Sequence, residues 1–251
     1  MPLFVSKDLA SNYANYYTKD DGLPTWRRLG ALDKCANIVR LCSTLDHDEV
    51  LEVGCGEGAI LQRLSELQFG TKYTGLEISP SAVQRVLEKS LPNVEIHLFG
   101  GYELLFPDKR FDLAILSHVL EHVEYPRKLI SEAARVARNV FIEVPLEDNL
   151  KLSQDFVFDR VGHINFYSVR TIRRLVQSCG MRILGAHLSH SSRQSYAYRK
   201  GKWRGAVSHL VKEASLRAWP RLAANLFTYH YSVVYSQDST SRDWQMHANA
   251  G

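Results

Sequence analysis

Glu52-Val53-Gly54-Cys55-Gly56-Glu57-Gly58 packs three glycines and two carboxylates into one short stretch. Glycines so spaced let the backbone come close to a ligand, and a helix opening behind them offers N–H groups to a polar or anionic partner. The dinucleotide pattern G-x-G-x-x-G would place its third glycine at position 59, which is alanine here; alanine is tolerated there, so glycine spacing alone leaves that option open. Glu52 tips the balance. A carboxylate two residues ahead of the first glycine faces the crevice, where it suits an amine or a cation better than a pyrophosphate. Glu77 is placed to accept both hydroxyls of a ribose. An ordinary strand-to-helix turn with solvated carboxylates is the plain alternative, disfavoured by the strand patterns on both sides. A second group, His118, Glu121 and His122, falls at i, i+3 and i+4, which is one face if a helix covers it.

These groups need elements to hold them. Apolar runs at 49–53, 72–78, 94–98, 111–116 and 139–144 read as buried strands. Helical spacing separates them: 59–67, a helix opening at Pro80, and 126–137 with Leu129, Ile130, Ala133 and Val136 on one side. Strands alternating with helices imply a largely parallel sheet covered on both faces. Ser168 is the expected N-cap of a helix that Gly180 stops, followed by a strand over 181–188 and a last strand over 226–235. The organisation expected is an N-terminal helical cap or lid over 1–45, a core over 46–236, a basic helical insertion at 199–222 and a mobile tail at 237–251.

The 251 residues are 45% hydrophobic and 23% charged, ample for one sizeable core. No apolar run approaches the ~18 residues of a membrane-spanning helix, and the first residues lack a secretory pattern, so a cytoplasmic location is expected. Cys35, Cys42, Cys55 and Cys179 make no CxxC pair and read as reduced thiols. The net charge of +4 is uneven: the stretch Arg199–Arg221 alone carries +6, and everything else sums to −2. This is a near-neutral body with one basic segment, not a nucleic-acid coat.

The motifs LEVGCGEG, GLEIS, FDLAILSHVLEHVEYPRKLISEAARV and HINFYSVRTIRRLVQSCGM together resemble class I S-adenosylmethionine-dependent methyltransferases of the UbiE/UbiG-like group. The resemblance runs from Val50 to Gly180, with weaker support to Tyr235. It implies an α/β, Rossmann-like, doubly wound seven-stranded mixed sheet, with the 226–235 strand inserted antiparallel beside the fifth. It also implies that Glu52, Gly54, Cys55 and Gly56 line the methionine end of S-adenosylmethionine, that Glu77 holds the ribose, and that Ile78 packs on the adenine. Ser117 and His118 would sit near the sulfonium. The family's acid after the third strand is replaced by Phe99-Gly100-Gly101-Tyr102, leaving the adenine to backbone groups near Gly101 or to Tyr102 and Glu103.

A sulfonium is already a good leaving group, so such a protein chiefly aligns an acceptor and excludes water. A hydroxyl acceptor gains from a base, for which His118, His122 and His163 are candidates. Some relatives hold a divalent ion with a similar cluster; His118, Glu121, His122 and His163 would be the ligands, and three imidazoles with one carboxylate favour zinc or a transition metal over magnesium. The expected acceptor is a small molecule methylated on O or N in natural-product or cofactor metabolism. An RNA-modifying enzyme and a non-catalytic S-adenosylmethionine-binding module are the alternatives. Tyr13, Tyr16, Tyr17 and Trp26 beside Arg27 and Arg28 would suit a planar or anionic molecule under a lid. The basic segment 199–221 has three readings: a solvated face, an RNA contact, or an anionic membrane contact using Trp203, Val207, Leu210, Val211, Leu216 and Trp219. A lid or partner-contact element is favoured over nucleic acid.

Overall fold

The computed structural model describes residues 24–156 and 162–237. Tyr13, Tyr16 and Tyr17 of the expected lid and the tail after Gln237 lie outside the described residues. The strands are β1 (Glu49–Val53), β2 (Lys72–Glu77), β3 (Val94–Leu98), β4 (Phe111–Ser117), β5 (Ala137–Pro145), β6 (Met181–Ser189) and β7 (His230–Gln237). They form one sheet in the order β3-β2-β1-β4-β5-β7-β6. β1 to β5 run parallel, while β7 lies antiparallel between β5 and β6. The mixed seven-stranded sheet and the antiparallel insertion are thus as expected.

The helices are α1 (Pro24–Cys42), α2 (Ala59–Glu66), α3 (Pro80–Glu88), α4 (Pro126–Val136), α5 (Val169–Ser178), α6 (Arg193–Lys200), α7 (Lys202–Ala218) and α8 (Pro220–Leu226). Strand alternation sorts them onto two faces. Val50, Leu113, Ile115, Phe141 and Val234 pack against α1 and α2 through Cys35, Ile38, Ile60, Leu61 and Leu64. Their neighbours Leu51, Ala114, Leu116, Ile142 and Val233 pack against α4 and α5 through Leu129, Ile130, Ala133, Ile172 and Val176. Ser168 caps α5 in a capping box with Thr171. The chain leaves β1 for β2 on one side and returns as β4 on the other, and at such a reversal a crevice opens at the strands' carboxyl ends.

Three expectations are corrected. The last strand starts at His230, not at 226, because Pro220 opens the short helix α8 and buries Ala223 and Ala224. The helical insertion opens before 199, at Arg193, and is bent: α6 and α7 meet at Gly201, whose φ of +80° makes the corner. Most consequential, His118, Glu121 and His122 do not lie on a helix, since α4 begins only at Pro126. The intervening carbonyls are satisfied from elsewhere. Asn165 Nδ2 donates to Leu120 O and Val123 O at 2.9 and 2.6 Å, and the Ile164 and Asn165 N–H groups donate to Glu121 O.

Candidate active site

A cavity of about 320 Å³ opens at the carboxyl ends of β1 and β4 and is roofed by α1. Its floor is the glycine turn. Gly54, Gly56 and Gly58 all have positive φ, and a Cβ on Gly54 would stand 2.8 Å from Val119 Cγ2. The turn is tied to β2: the Gly54 N–H donates to Leu76 O at 2.7 Å, and the Gly56 N–H donates to Glu77 Oε2 at 2.8 Å. Glu77 Oε1 accepts from the Ile78 and Ser79 N–H groups. Burial pushes the Glu77 carboxyl up, and these three amides oppose that.

Among the buried polar atoms of the cavity wall without a hydrogen-bond partner are Glu52 Oε2 and Ser117 Oγ. An acceptor and a hydroxyl left bare beside a glycine cradle fit a polar, amine-bearing ligand. Burial pushes the Glu52 carboxyl up to about 8; Lys34 pulls it down and Glu77 pushes it further up. Lys34, Arg27 and Arg199 bring positive charge to the same cavity. Arg27 Nη1 lies 3.5 Å from Glu57 Oε2, and the Arg199 guanidinium sits 5.3 Å from the Trp26 ring centre. Of the expected lid residues, Trp26 and Arg27 line the cavity, whereas Arg28 is exposed outside it.

His118 follows Ser117 with φ +58° and projects between two fully buried carboxylates. Its Nδ1 lies 3.3 Å from Glu121 Oε1 and its Nε2 lies 3.3 Å from Glu143 Oε1. Burial and Lys34 disfavour a charged His118, but the two carboxylates prevail and its pKa is raised. Burial would push Glu143 up; His118 and His230 outweigh it and hold the carboxyl at about 2. Glu143 Oε2 also accepts from Asn37 Nδ2 and Ser232 Oγ, each at 2.7 Å. The His230 ring stands edge-on to His118 at 4.9 Å, and burial beside His118 lowers its pKa to about 3.

The four expected metal ligands divide. Glu121, His122 and His163 bring ligand atoms within 4.8 Å of one another, and His118 instead joins Glu143 and His230 in a second such group. His122 Nδ1 faces Gly162 O at 3.2 Å and His163 Nδ1 faces Glu147 Oε2 at 2.7 Å. Neither His122 nor His163 lines the cavity that holds His118. Glu77, Ile78, Gly101 and Tyr102 also lie outside its wall. Tyr102 is a core residue: its ring is fully buried and its hydroxyl accepts from the Glu124 N–H at 2.9 Å, so its side chain does not face a ligand. The Cys55 thiol packs near Gly75, and burial raises its pKa, so it is inert. Lys34, Asn37, Glu143, Arg199 and His230 went unread in the sequence as site residues. For Glu143 a signal existed, a lone charge in the apolar run Val140-Phe141-Ile142-Glu143-Val144.

Residues 26–185 match a family model described as a methyltransferase domain. The demethylmenaquinone methyltransferase of Tropheryma whipplei is 36% identical over 93 residues, 36% of this chain and 38% of that protein. The 2-methyl-6-phytyl-1,4-hydroquinone methyltransferase of a Synechocystis strain is 30% identical over 129 residues, 51% of this chain and 38% of that protein. The chain therefore spans less than two fifths of the length of these curated relatives. Among solved structures, Haemonchus contortus phospholethanolamine N-methyltransferase 2, in complex with phosphomonomethylethanolamine and S-adenosylhomocysteine, shares the fold with a TM-score of 0.62 at 14% identity. That likeness covers 95% of this chain and 62% of the other.

Proposed function

The chain belongs to the methyltransferase-domain family, and from that premise we propose that it transfers a methyl group from S-adenosylmethionine to a small, planar acceptor with an ionisable O–H or N–H. The observation that carries this reading is the pair of bare buried atoms, Glu52 Oε2 and Ser117 Oγ, beside the glycine turn. Glu52 would meet the ammonium of the methionine end, and the backbone of Gly54 and Gly56 would let that end approach. Glu77, held rigid by three amides, would take the ribose hydroxyls, with Ile78 beside the adenine. S-Adenosylmethionine supplies an electrophilic methyl on a good leaving group.

What remains for the chain is to orient the acceptor, exclude water and take one proton. His118 is the base we assign. Its raised pKa suits abstraction from a weakly acidic hydroxyl, and the imidazolium that forms would be stabilised by Glu121 and Glu143. His230, kept neutral, and Ser117 would orient the acceptor oxygen. Trp26, Arg27, Lys34 and Arg199 make a wall suited to a planar or anionic acceptor. The relatives named for a demethylmenaquinone and a hydroquinone support an aromatic quinone-type molecule as the first acceptor to try.

A divalent ion on Glu121, His122 and His163 is a second reading. One observation favours it: the carbonyl behind His122 and the carboxylate behind His163 are the outer partners that metal-bound imidazoles usually have. Two histidines and one carboxylate suit zinc or iron, and an ion there would polarise an acceptor oxygen.

Calorimetry with S-adenosylmethionine and S-adenosylhomocysteine, then methyl transfer to a panel of quinols, phenols and amines, tests the main reading. Absence of binding to the folded chain overturns it. Metal analysis and turnover after chelation test the second.

A further inference from the structure

Helix α7 is built inside out. Its inward side holds Gly205, His209 and Lys212. A Cβ on Gly205 would stand 2.7 Å from backbone atoms of Tyr196 and Ala197. Lys212 Nζ donates to Thr228 O at 2.7 Å and lies 5.5 and 5.4 Å from the ring centres of Tyr196 and Tyr229. His209 packs edge-on against His190 at 5.0 Å. The outward side holds Trp203, Val207, Leu210 and Val211, spaced i, i+4, i+7 and i+8 along one stripe. Trp203 is 83% exposed and Leu210 65%. Beyond the stripe, Trp219 at the α7–α8 junction, 67% exposed, and Leu222 on α8 are exposed as well. Leu150, 78% exposed, adjoins it through its N–H, which donates to Asn225 O at 3.0 Å.

Charge says what covers this ridge. Lys202, Arg204, Arg217 and Arg221 flank it, and the one acid between residues 199 and 222 is Glu213. That acid is already engaged by His190 and Arg217, each at 2.9 Å. An aliphatic stripe that opens on a tryptophan, with a second exposed tryptophan at the end of the helix and cations along its borders, has the pattern of a helix lying in a lipid headgroup layer. We propose that the α7–α8 face docks the chain on an anionic lipid bilayer, with Trp203, Leu210 and Trp219 inserted and Lys202, Arg204 and Arg221 on the headgroups. This docking is independent of the reaction assigned to the crevice.

Co-sedimentation with phosphatidylcholine vesicles, with and without phosphatidylglycerol, tests it. Binding is expected only with phosphatidylglycerol, weakening with salt and shifting tryptophan emission to the blue. Trp203→Ser with Leu210→Ser should lower partitioning by more than about tenfold. Arg204→Gln and Arg221→Gln should each lower it about fivefold. All these positions are exposed, so thermal midpoint and S-adenosylhomocysteine affinity should stay at wild-type values. No vesicle binding, equal binding to uncharged vesicles, or binding indifferent to loss of Trp203 and Leu210 overturns the proposal. So does self-association that the Trp203→Ser, Leu210→Ser variant abolishes without any vesicle binding, which would give the face to a second copy. Transfer RNA binding tighter than vesicle binding would give it to RNA.

Discussion

Glu52 and Glu143 are both buried carboxylates, yet their surroundings drive them in opposite directions. Glu52 has Lys34 nearby but a bare oxygen, and its pKa rises to about 8; Glu143 has two neutral donors and the His118 ring, and falls to about 2. A ligand ammonium at Glu52 should therefore expel a proton at neutral pH. Calorimetry in buffers of different ionisation enthalpy should register proton release on binding, and affinity should climb as pH rises toward about 8. Glu52→Gln should remove the proton release and weaken binding about tenfold to hundredfold. For the assigned base, kcat should rise with pH through the raised His118 pKa. His118→Asn should abolish that limb and lower kcat on a hydroxyl acceptor about 10²-fold or more, with KM for the methyl donor little changed.

At the scale of the element, the strand-to-helix turn depends on a close approach that one methyl group would spoil. Gly54→Ala meets Val119 Cγ2 at 2.8 Å and must also hold a φ of +72°. Each effect costs about 1 kcal/mol or more, so a lowered thermal midpoint and a large loss of S-adenosylhomocysteine affinity are expected. Val119→Ala in that background should relieve the steric part alone. A double-mutant cycle that shows no coupling between positions 54 and 119 would contradict this packing. The helical turns elsewhere were readable because caps and prolines announce them, as Pro80, Pro126 and Ser168 do. The irregular stretch 118–125 was not. Its residues carry helical spacing, and only the distant Asn165 and Tyr167, donating to Leu120 O, draw the backbone away from a helix.

For the whole molecule, the two carboxylates set a stability window. The contribution of Glu143 is present above its ordinary pKa near 4.5 and is lost as pH falls through about 2. That of Glu52 runs the other way: it is present below 4.5 and is lost as pH rises through about 8. The ligand-free chain should therefore be most stable in between. Thermal melts across pH should show Glu52→Gln more stable than wild type at alkaline pH. Glu143→Ala, which strands His118 against one carboxylate, should lose on the order of 3 kcal/mol at neutral pH. That deficit should shrink in strong acid.

The sequence by itself determined the alternating strands and helices and the glycine turn with Glu52 and Glu77, because period, caps and turn chemistry are local; the antiparallel course of the last strand followed only from the family resemblance. It also marked Ser117 and His118 as groups at a strand's end. Tertiary structure decided what His118 is for. Asn37 of α1, His118 beyond β4 and Ser232 of β7 are far apart in the chain, and only the sheet order sets them around one carboxylate, that of Glu143 on β5. Tertiary structure likewise separated His118 from His122 and His163, which spacing had joined, since the chain between them is held by Asn165 rather than by its own helix. For Trp203 and Leu210 the sequence left a membrane-facing reading open beside others, and the structure turns them outward. A stripe of apolar residues predicts a buried face, and the packing of Gly205 and Lys212 against α6 and against Thr228 and Tyr229 ahead of β7 puts it outside.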